Sequence, residues 1–479
     1  MQRSRCKGDV LDTDYLIIGA GAQGLAFADE IIAHSDADII LVDRRPTVGG
    51  HWNDAYPFVT LHQPSAFYGV GSVPLGSGRI ETRGPNAGLY EQASGLEVLS
   101  HFDRAMKDSL LASGRVRFLA MHDYLGEAQG THRIRSRVTG QTFAIRARRR
   151  LVDTGFYRVS TPETHTPGFS IAPDTPFTTP RRLPGDLPGR SHVAILGGGK
   201  TSMDVAIWLL EAGLGPERIS WVRPRDSWLI NRETAQPGDE GVIRIAESQA
   251  NKLDASMKAT SLEDLFDRLE AHGELLRIDP GTRPEMFHGA TISRGEVALL
   301  ARVENVIREG HVRRVAPGRL DFAATRRGFP EDTLFVDCTA RAFHYQPTRP
   351  VFEPGRITLQ IVREGLVCLS AAAIGYVEAR FEDDAEKNRL CPPVPYEEHA
   401  IVWARGFLAE LGVQAAWAGE KALRQWARGH RLTGFGQPRG EAAEARMAEL
   451  RTAIAQRRPL AIANLERLIE NHGAAPLYR

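Results

Sequence analysis

Two turns in the chain carry glycines where a backbone would have to approach a phosphate. The first is Gly19-x-Gly21-x-x-Gly24 in "DYLIIGAGAQGLAFADE"; the second is Gly197-x-Gly199-x-x-Ser202 in "HVAILGGGKTSMD". In the dinucleotide fingerprint the first glycine makes a tight turn and the second admits a pyrophosphate. The third lets helix and strand pack closely, a task that a serine can share. The Gly-Lys-Thr of the second turn also matches the end of a nucleotide-hydrolase phosphate loop. That loop needs a glycine six residues before its lysine. Six before Lys200 stands Ala194, inside the apolar run Val193 to Leu196. The second turn therefore suits a dinucleotide. Lys200 and Thr201 open a helix whose N-terminus favours an anion.

The residues that close the second strand of each unit differ. "ILVDRR" ends on Asp43 and Arg44, and a carboxylate there accepts from a free ribose 2′-OH. "SWVRPRD" has Arg223 in that place and Arg225 two residues on, and forked guanidinium groups suit a 2′-phosphate. Asp43 thus points to FAD or NAD, and the arginine pair to NADP. Arg232 in "LINRE" is a weaker third cation.

Each turn needs a strand before it and a helix after it. The expected fold class is α/β, with two Rossmann-like dinucleotide-binding domains, the second inserted into the first, plus a helical C-terminal segment. Residues 12–157 form the first half of one domain, where "RRRLVDTGFY" leaves its sheet at Gly155. Residues 158–190 hold Pro162, Pro167, Pro173, Pro176, Pro180, Pro184 and Pro188, which argues for a stiff extended linker without helix. Residues 191–327 form the second domain. "TLFVDCTA" repeats the earlier "LVDTG" and is expected to return the chain to the first domain, completed by 328–394. Within that half "GLVCLSAAAIGY" reads as a last strand and turn. Residues 395–479 are helical, a structural cover or homo-oligomer contact with no functional signal.

Composition fits a soluble enzyme. A formal net charge of +1 argues against a nucleic-acid partner. The basic run Arg146 to Arg150 reads as a solvated strand edge. No apolar stretch is long enough to cross a bilayer, and "MQRSRCKGDV" lacks a signal peptide's apolar core. Cys6, Cys338, Cys368 and Cys391 form no CxxC pair, so no metal site and no disulfide framework is expected, and the compartment is expected to be cytoplasmic.

Two fingerprints, an inserted second domain and "GGHW" at Gly49 to Trp52 resemble the two-dinucleotide-binding-domain flavoproteins. Among these the chain is similar to flavin-containing monooxygenases, with their Baeyer–Villiger and N-hydroxylating relatives, over roughly residues 12–390. The resemblance implies FAD on the first unit, NADPH on the second and O2 as co-substrate with a small organic molecule. Carried over, Gly19, Gly21, Gly24 and Asp43 hold the ADP half of FAD, with Arg44 and Gly155 beside them. Gly50 and Trp52 flank the flavin ring, and Gly197, Gly199, Lys200, Thr201, Ser202, Arg223 and Arg225 bind NADPH. Where related monooxygenases show an asparagine near the flavin, "TLHQPSAFYGV" offers His62 and Gln63. An imidazole or amide there would donate to the flavin or to charge developing on oxygen, a catalytic role. The linker lacks the Phe-x-Gly-x-x-x-His of many members. "GGHWNDAYPF" has no cysteine, so the Cys-x4-Cys pair of disulfide reductases is missing. Besides a monooxygenase, the residues allow a flavin dehydrogenase or reductase without oxygenation, or a non-catalytic FAD/NADP-binding redox sensor.

Overall fold

The computed structural model describes residues 10–341, 343–396, 399–434 and 436–472; Cys6 lies outside them. The first glycine turn sits in an eight-stranded sheet. Its parallel core runs Arg356–Thr358, Thr142–Asp153, Leu11–Ile18, Ile39–Val42 and Val116–Leu119. An antiparallel meander, His122–Ala128 and Thr131–Ser136, extends Thr142–Asp153. The second turn sits in a five-stranded parallel sheet ordered Val306–Ile307, Ile219–Val222, Val193–Leu196, Leu334–Asp337 and Phe177–Thr178. Ile39–Val42, Val193–Leu196 and Ile219–Val222 are buried at every position. That unbroken burial belongs to parallel strands covered on both faces. The fold is α/β with the second dinucleotide domain inserted into the first.

Four expectations change. "TLFVDCTA" does not return to the first sheet: Leu334–Asp337 pairs in parallel with Val193–Leu196, in register from Leu334 opposite Val193. It closes the second sheet as Thr142–Asp153 flanks Leu11–Ile18 in the first, so the second domain extends past residue 327. The proline-rich 158–190 is no bare linker. It supplies Phe177–Thr178 to the second sheet and a one-turn helix, Leu183–Asp186, with Pro184 in the first turn, where a missing N–H costs nothing.

"GLVCLSAAAIGY" is helical, within Val367–Arg380. Its small residues let it lie close against Ala22–His34: a Cβ on Gly375 would fall 3.0 Å from the Phe27 carbonyl oxygen. Burial on all sides, not strand geometry, explains its apolar run. The C-terminal helices Ile401–Gly419, Lys421–Gly429 and Glu441–Asn471 pack within the chain. Trp403, Phe407 and Leu465 share a core with Trp228 and Phe266 of a subdomain built into the second domain. That subdomain comprises the sheet Leu275–Leu276, Ser227–Asn231 and Met286–Ile292 and the helices Gly238–Lys258 and Leu262–Ala271. Among the described residues no helix is long and apolar enough to cross a membrane, and no cluster of potential metal ligands occurs.

Candidate functional site

At the first turn each glycine has a separate spatial reason. Gly19 has φ +110°, and a Cβ there would fall 2.2 Å from Thr154 Oγ1, a hydroxyl that itself donates to the Ile18 carbonyl. A Cβ on Gly24 would fall 2.1 Å from the Gly19 carbonyl oxygen, so the helix can sit on the strand end only without one. Gly21 faces nothing nearer than the Gly50 backbone at 3.6 Å and is the open position. Helix Ala22–His34 starts there with no side-chain cap and no acidic residue in its first turn, which leaves its N–H groups and dipole to an anion.

Asp43 follows the neighbouring strand, Ile39–Val42. It is buried and accepts from Ala20 N at 2.7 Å and Arg45 N at 2.8 Å. Its remaining lone pairs face the cleft described below.

The second turn repeats this geometry. Gly197 has φ +127°, and a Cβ would meet the Cys338 carbonyl oxygen at 2.5 Å. Gly199 has nothing within 4 Å. Ser202 is buried and its hydroxyl donates to the Gly199 carbonyl at 2.6 Å, so the third position holds a side chain that its counterpart cannot. The sequence repeat also has a shared turn: Gly155 N donates to Asp153 Oδ1 at 2.8 Å, and Thr339 N to Asp337 Oδ1 at 2.9 Å.

Arg223 does not reach outward from this turn. It is buried, lies over the Trp221 ring at 4.5 Å, and pairs with Asp226 at 2.7 Å. Its Cγ lies 3.1 Å from where a Gly198 Cβ would stand. Arg225 is the exposed cation of the pair. Arg232 is wholly buried and structural, donating to the His62 carbonyl at 2.7 Å and pairing with Glu296 at 2.9 Å. Lys200 pairs with Asp204, one turn along its own helix.

A cleft of about 1870 Å³ joins the two domains. Of the residues singled out by sequence, Gly19, Gly21, Asp43, Arg44, Gly50, Trp52, His62, Gln63, Gly155, Thr201 and Arg232 line it. Gly24, Gly197, Gly199, Lys200, Ser202, Arg223 and Arg225 stand behind or beside that lining. Trp52 is fixed by donating from Nε1 to the Tyr68 hydroxyl at 2.8 Å, and His51 stacks on it. Gln63 donates to the Phe67 carbonyl at 3.2 Å across the turn that Pro64 begins.

His51 and His62 are both shifted towards the neutral form. Burial, with Arg45 nearby, pushes His51 down to about 4. Enclosure by protein, then Lys200 and Arg232, push His62 well below the usual histidine value. The His62 ring is nonetheless open to the cleft, so water moderates the first cause while the two cations keep the direction.

Sequence reasoning passed over Tyr56, whose hydroxyl donates to Asp204 at 2.6 Å. With Phe58 stacked on Trp208 at 4.7 Å, Tyr56 docks the first domain's cleft wall onto the second domain's helix. No local pattern marks such a contact. Cys338, Cys368 and Cys391 are buried free thiols, and burial pushes each upward, away from redox reactivity.

A family model described as an NAD(P)-binding Rossmann-like domain matches residues 17–63, from the end of the first strand to Gln63. The uncharacterized protein Rv2000 of Mycobacterium tuberculosis is 42% identical over 422 residues, covering 88% of this chain and 78% of that protein. The uncharacterized protein Mb2023 of Mycobacterium bovis matches with the same figures. Among solved structures, the polycyclic ketone monooxygenase of the fungus Thermothelomyces thermophila is similar in fold. The TM-score is 0.50 at 14% identity, over 95% of this chain and 90% of that one. This chain belongs to the family of Rv2000, and its fold is similar to that of the fungal polycyclic ketone monooxygenase.

Proposed function

We propose that this protein is an FAD-containing oxidoreductase that takes hydride from NADPH, and that it is a monooxygenase acting with O2 on a small organic molecule. The observation that carries this reading is the meeting of two dinucleotide turns at one cleft. Gly19, Gly21 and Asp43 line its first-domain side, and Thr201, from the helix of the second turn, reaches its other wall. The residues of the first turn fit FAD. Gly21 leaves the space a pyrophosphate needs, the uncapped helix supplies N–H groups, and Asp43 retains acceptor capacity for ribose hydroxyls. When bound, the flavin would supply two-electron chemistry.

The chain's own residues then have separate tasks. Gly199, open on all sides, and the helix behind it hold the NADPH pyrophosphate, and the exposed Arg225 is the better placed reader of the 2′-phosphate. Trp52, locked to Tyr68, forms a wall beside the flavin position. His62, a neutral ring facing the cleft, donates from one nitrogen without adding charge. Gln63, pinned to Phe67, keeps a second amide proton for the cleft. Those two donors are placed to stabilise negative charge developing on oxygen.

The test is NADPH oxidation by the flavin-loaded protein with isotopically labelled O2 and candidate amines, ketones and amino acids. Substrate-dependent transfer of label into product is expected. NADPH oxidation sustained by an organic acceptor under argon, with no labelled product in air, would leave a flavin reductase instead.

A further inference from the structure

At its inner end the cleft becomes a chamber to which three helices each turn one face. On Gly238–Lys258, Val242, Ile245, Gln249 and Lys252 line it at three- and four-residue steps. Trp403, Phe407 and Gln414 do so from Ile401–Gly419, and Met447, Ile454 and Arg458 from Glu441–Asn471. The walls are mostly apolar, so the charges that remain stand out.

Some of those charges are already matched. Arg363 pairs with Glu410 at 2.9 Å and lies over Trp417 at 4.7 Å. Glu274 accepts only from the neutral Ser248 and Asn251, so it is a carboxylate without a cation partner among the described residues. Two half-buried cations make no ion pair with a carboxylate among the described residues. Arg458 hydrogen-bonds to neutral groups, the Leu411 carbonyl at 3.2 Å and Gln414 Oε1 at 2.8 Å, and feels the Glu410 carboxylate, already paired with Arg363, only at longer range. Lys252, half-buried, has no hydrogen bond and no carboxylate within ion-pair distance among the described residues. Arg457 donates to the Ala250 carbonyl at 3.0 Å, which brings the following residue, Arg458, to the height of Lys252. A second acid without an ion pair among the described residues is Glu364. Burial pushes it up to about 7, against the pull of Lys252 and with the push of Glu410. Near neutral pH it therefore cancels only part of the excess. A half-buried cation without a partner in an apolar chamber is costly unless an anion joins it.

We propose that this chamber binds a mainly apolar organic acid, its carboxylate held by Lys252 and Arg458 and its carbon skeleton against Trp403 and Phe407. That such an acid is the substrate rests on the oxidoreductase reading above; that it binds does not.

The test is isothermal titration calorimetry of the purified full-length protein with phenylbutanoate, phenylbutanol and phenylbutylamine. The acid should bind about tenfold or more tighter than the alcohol. Lys252→Met should weaken the acid by about tenfold to over a hundredfold, the span of one charge-assisted hydrogen bond. It should leave the alcohol within about twofold, and Lys252→Arg should restore the acid. Equal binding of acid and alcohol, no binding of the acid, or an acid affinity untouched by Lys252→Met would each overturn the proposal. So would preference for the amine, which would make Glu364 the anchor. Calorimetry needs no turnover. A protein that binds the acid but never oxidises NADPH keeps this site and loses the oxidoreductase reading, and the converse result does the opposite.

Discussion

The Asp43 carboxylate has two tasks that pull a mutant in two directions. It ties the first glycine turn to the strand end through Ala20 N and Arg45 N, and it lines the cleft where we propose that a ribose sits. Asp43→Ala should lower the FAD retained after gel filtration. It should also lower unfolding free energy by about 1–3 kcal/mol, because buried N–H groups lose their acceptor; flavin content and urea titration measure the two effects separately. At the second turn both Arg223 and Arg225 are expected from sequence to read a 2′-phosphate, and of the two only Arg225 is exposed. Arg225→Ala should raise the KM for NADPH about tenfold or more and leave NADH nearly unchanged, by loss of a charge-assisted bond to the 2′-phosphate. Arg223→Ala should chiefly cost stability, by about 1–3 kcal/mol, since Asp226 keeps Arg308 as a partner at 3.1 Å. Steady-state kinetics with both coenzymes, beside melting curves, separate the two roles. The letters "RPR" cannot say which guanidinium folds back over Trp221.

Among the elements, the two glycine turns were the most legible. Their residues are fixed locally, by backbone angle and by the absence of room for a Cβ. The contrast at the third position makes this testable. Gly24→Ala would drive a methyl to 2.1 Å from the Gly19 carbonyl, so the protein should retain little FAD. Ser202→Ala keeps a Cβ that already fits and should change NADPH affinity by less than about threefold, having lost one ordinary hydrogen bond. Misread elements share a different cause. "TLFVDCTA" is a buried strand in either sheet, and which neighbour it pairs with is decided by contacts far away in sequence. "GLVCLSAAAIGY" is apolar throughout, and a short apolar run does not distinguish a buried strand from a buried helix. The C-terminal segment reads as helical, but sequence alone does not show that its helices line the cleft.

Taken whole, the molecule places its cleft where two dinucleotide domains and a helical tail converge, and the groups within it set how it responds to pH. Glu364 binds its proton more tightly in the folded chain, up to about 7 against an ordinary value of 4.5, because burial, helped by the facing Glu410 carboxylate, outweighs the opposing pull of Lys252; Arg363, the other facing cation, is paired with Glu410. Below about pH 4.5 the group is protonated in both states and favours neither. As pH rises towards 7 only the unfolded chain releases the proton, so stability is lost across that window. Glu364→Gln should flatten that part of a melting-temperature profile, and an unchanged slope would show that the carboxylate is well hydrated by the cleft.

The central claim concerns the cleft itself, that one side of it holds a flavin and the other delivers hydride to it. Anaerobic stopped-flow absorbance tests it most directly. The purified protein, reconstituted with FAD and mixed with NADPH, should lose its oxidised-flavin absorbance in stoichiometric amount, faster with NADPH than with NADH. A protein that takes up no FAD, or whose bound FAD stays oxidised under excess NADPH, would contradict the account.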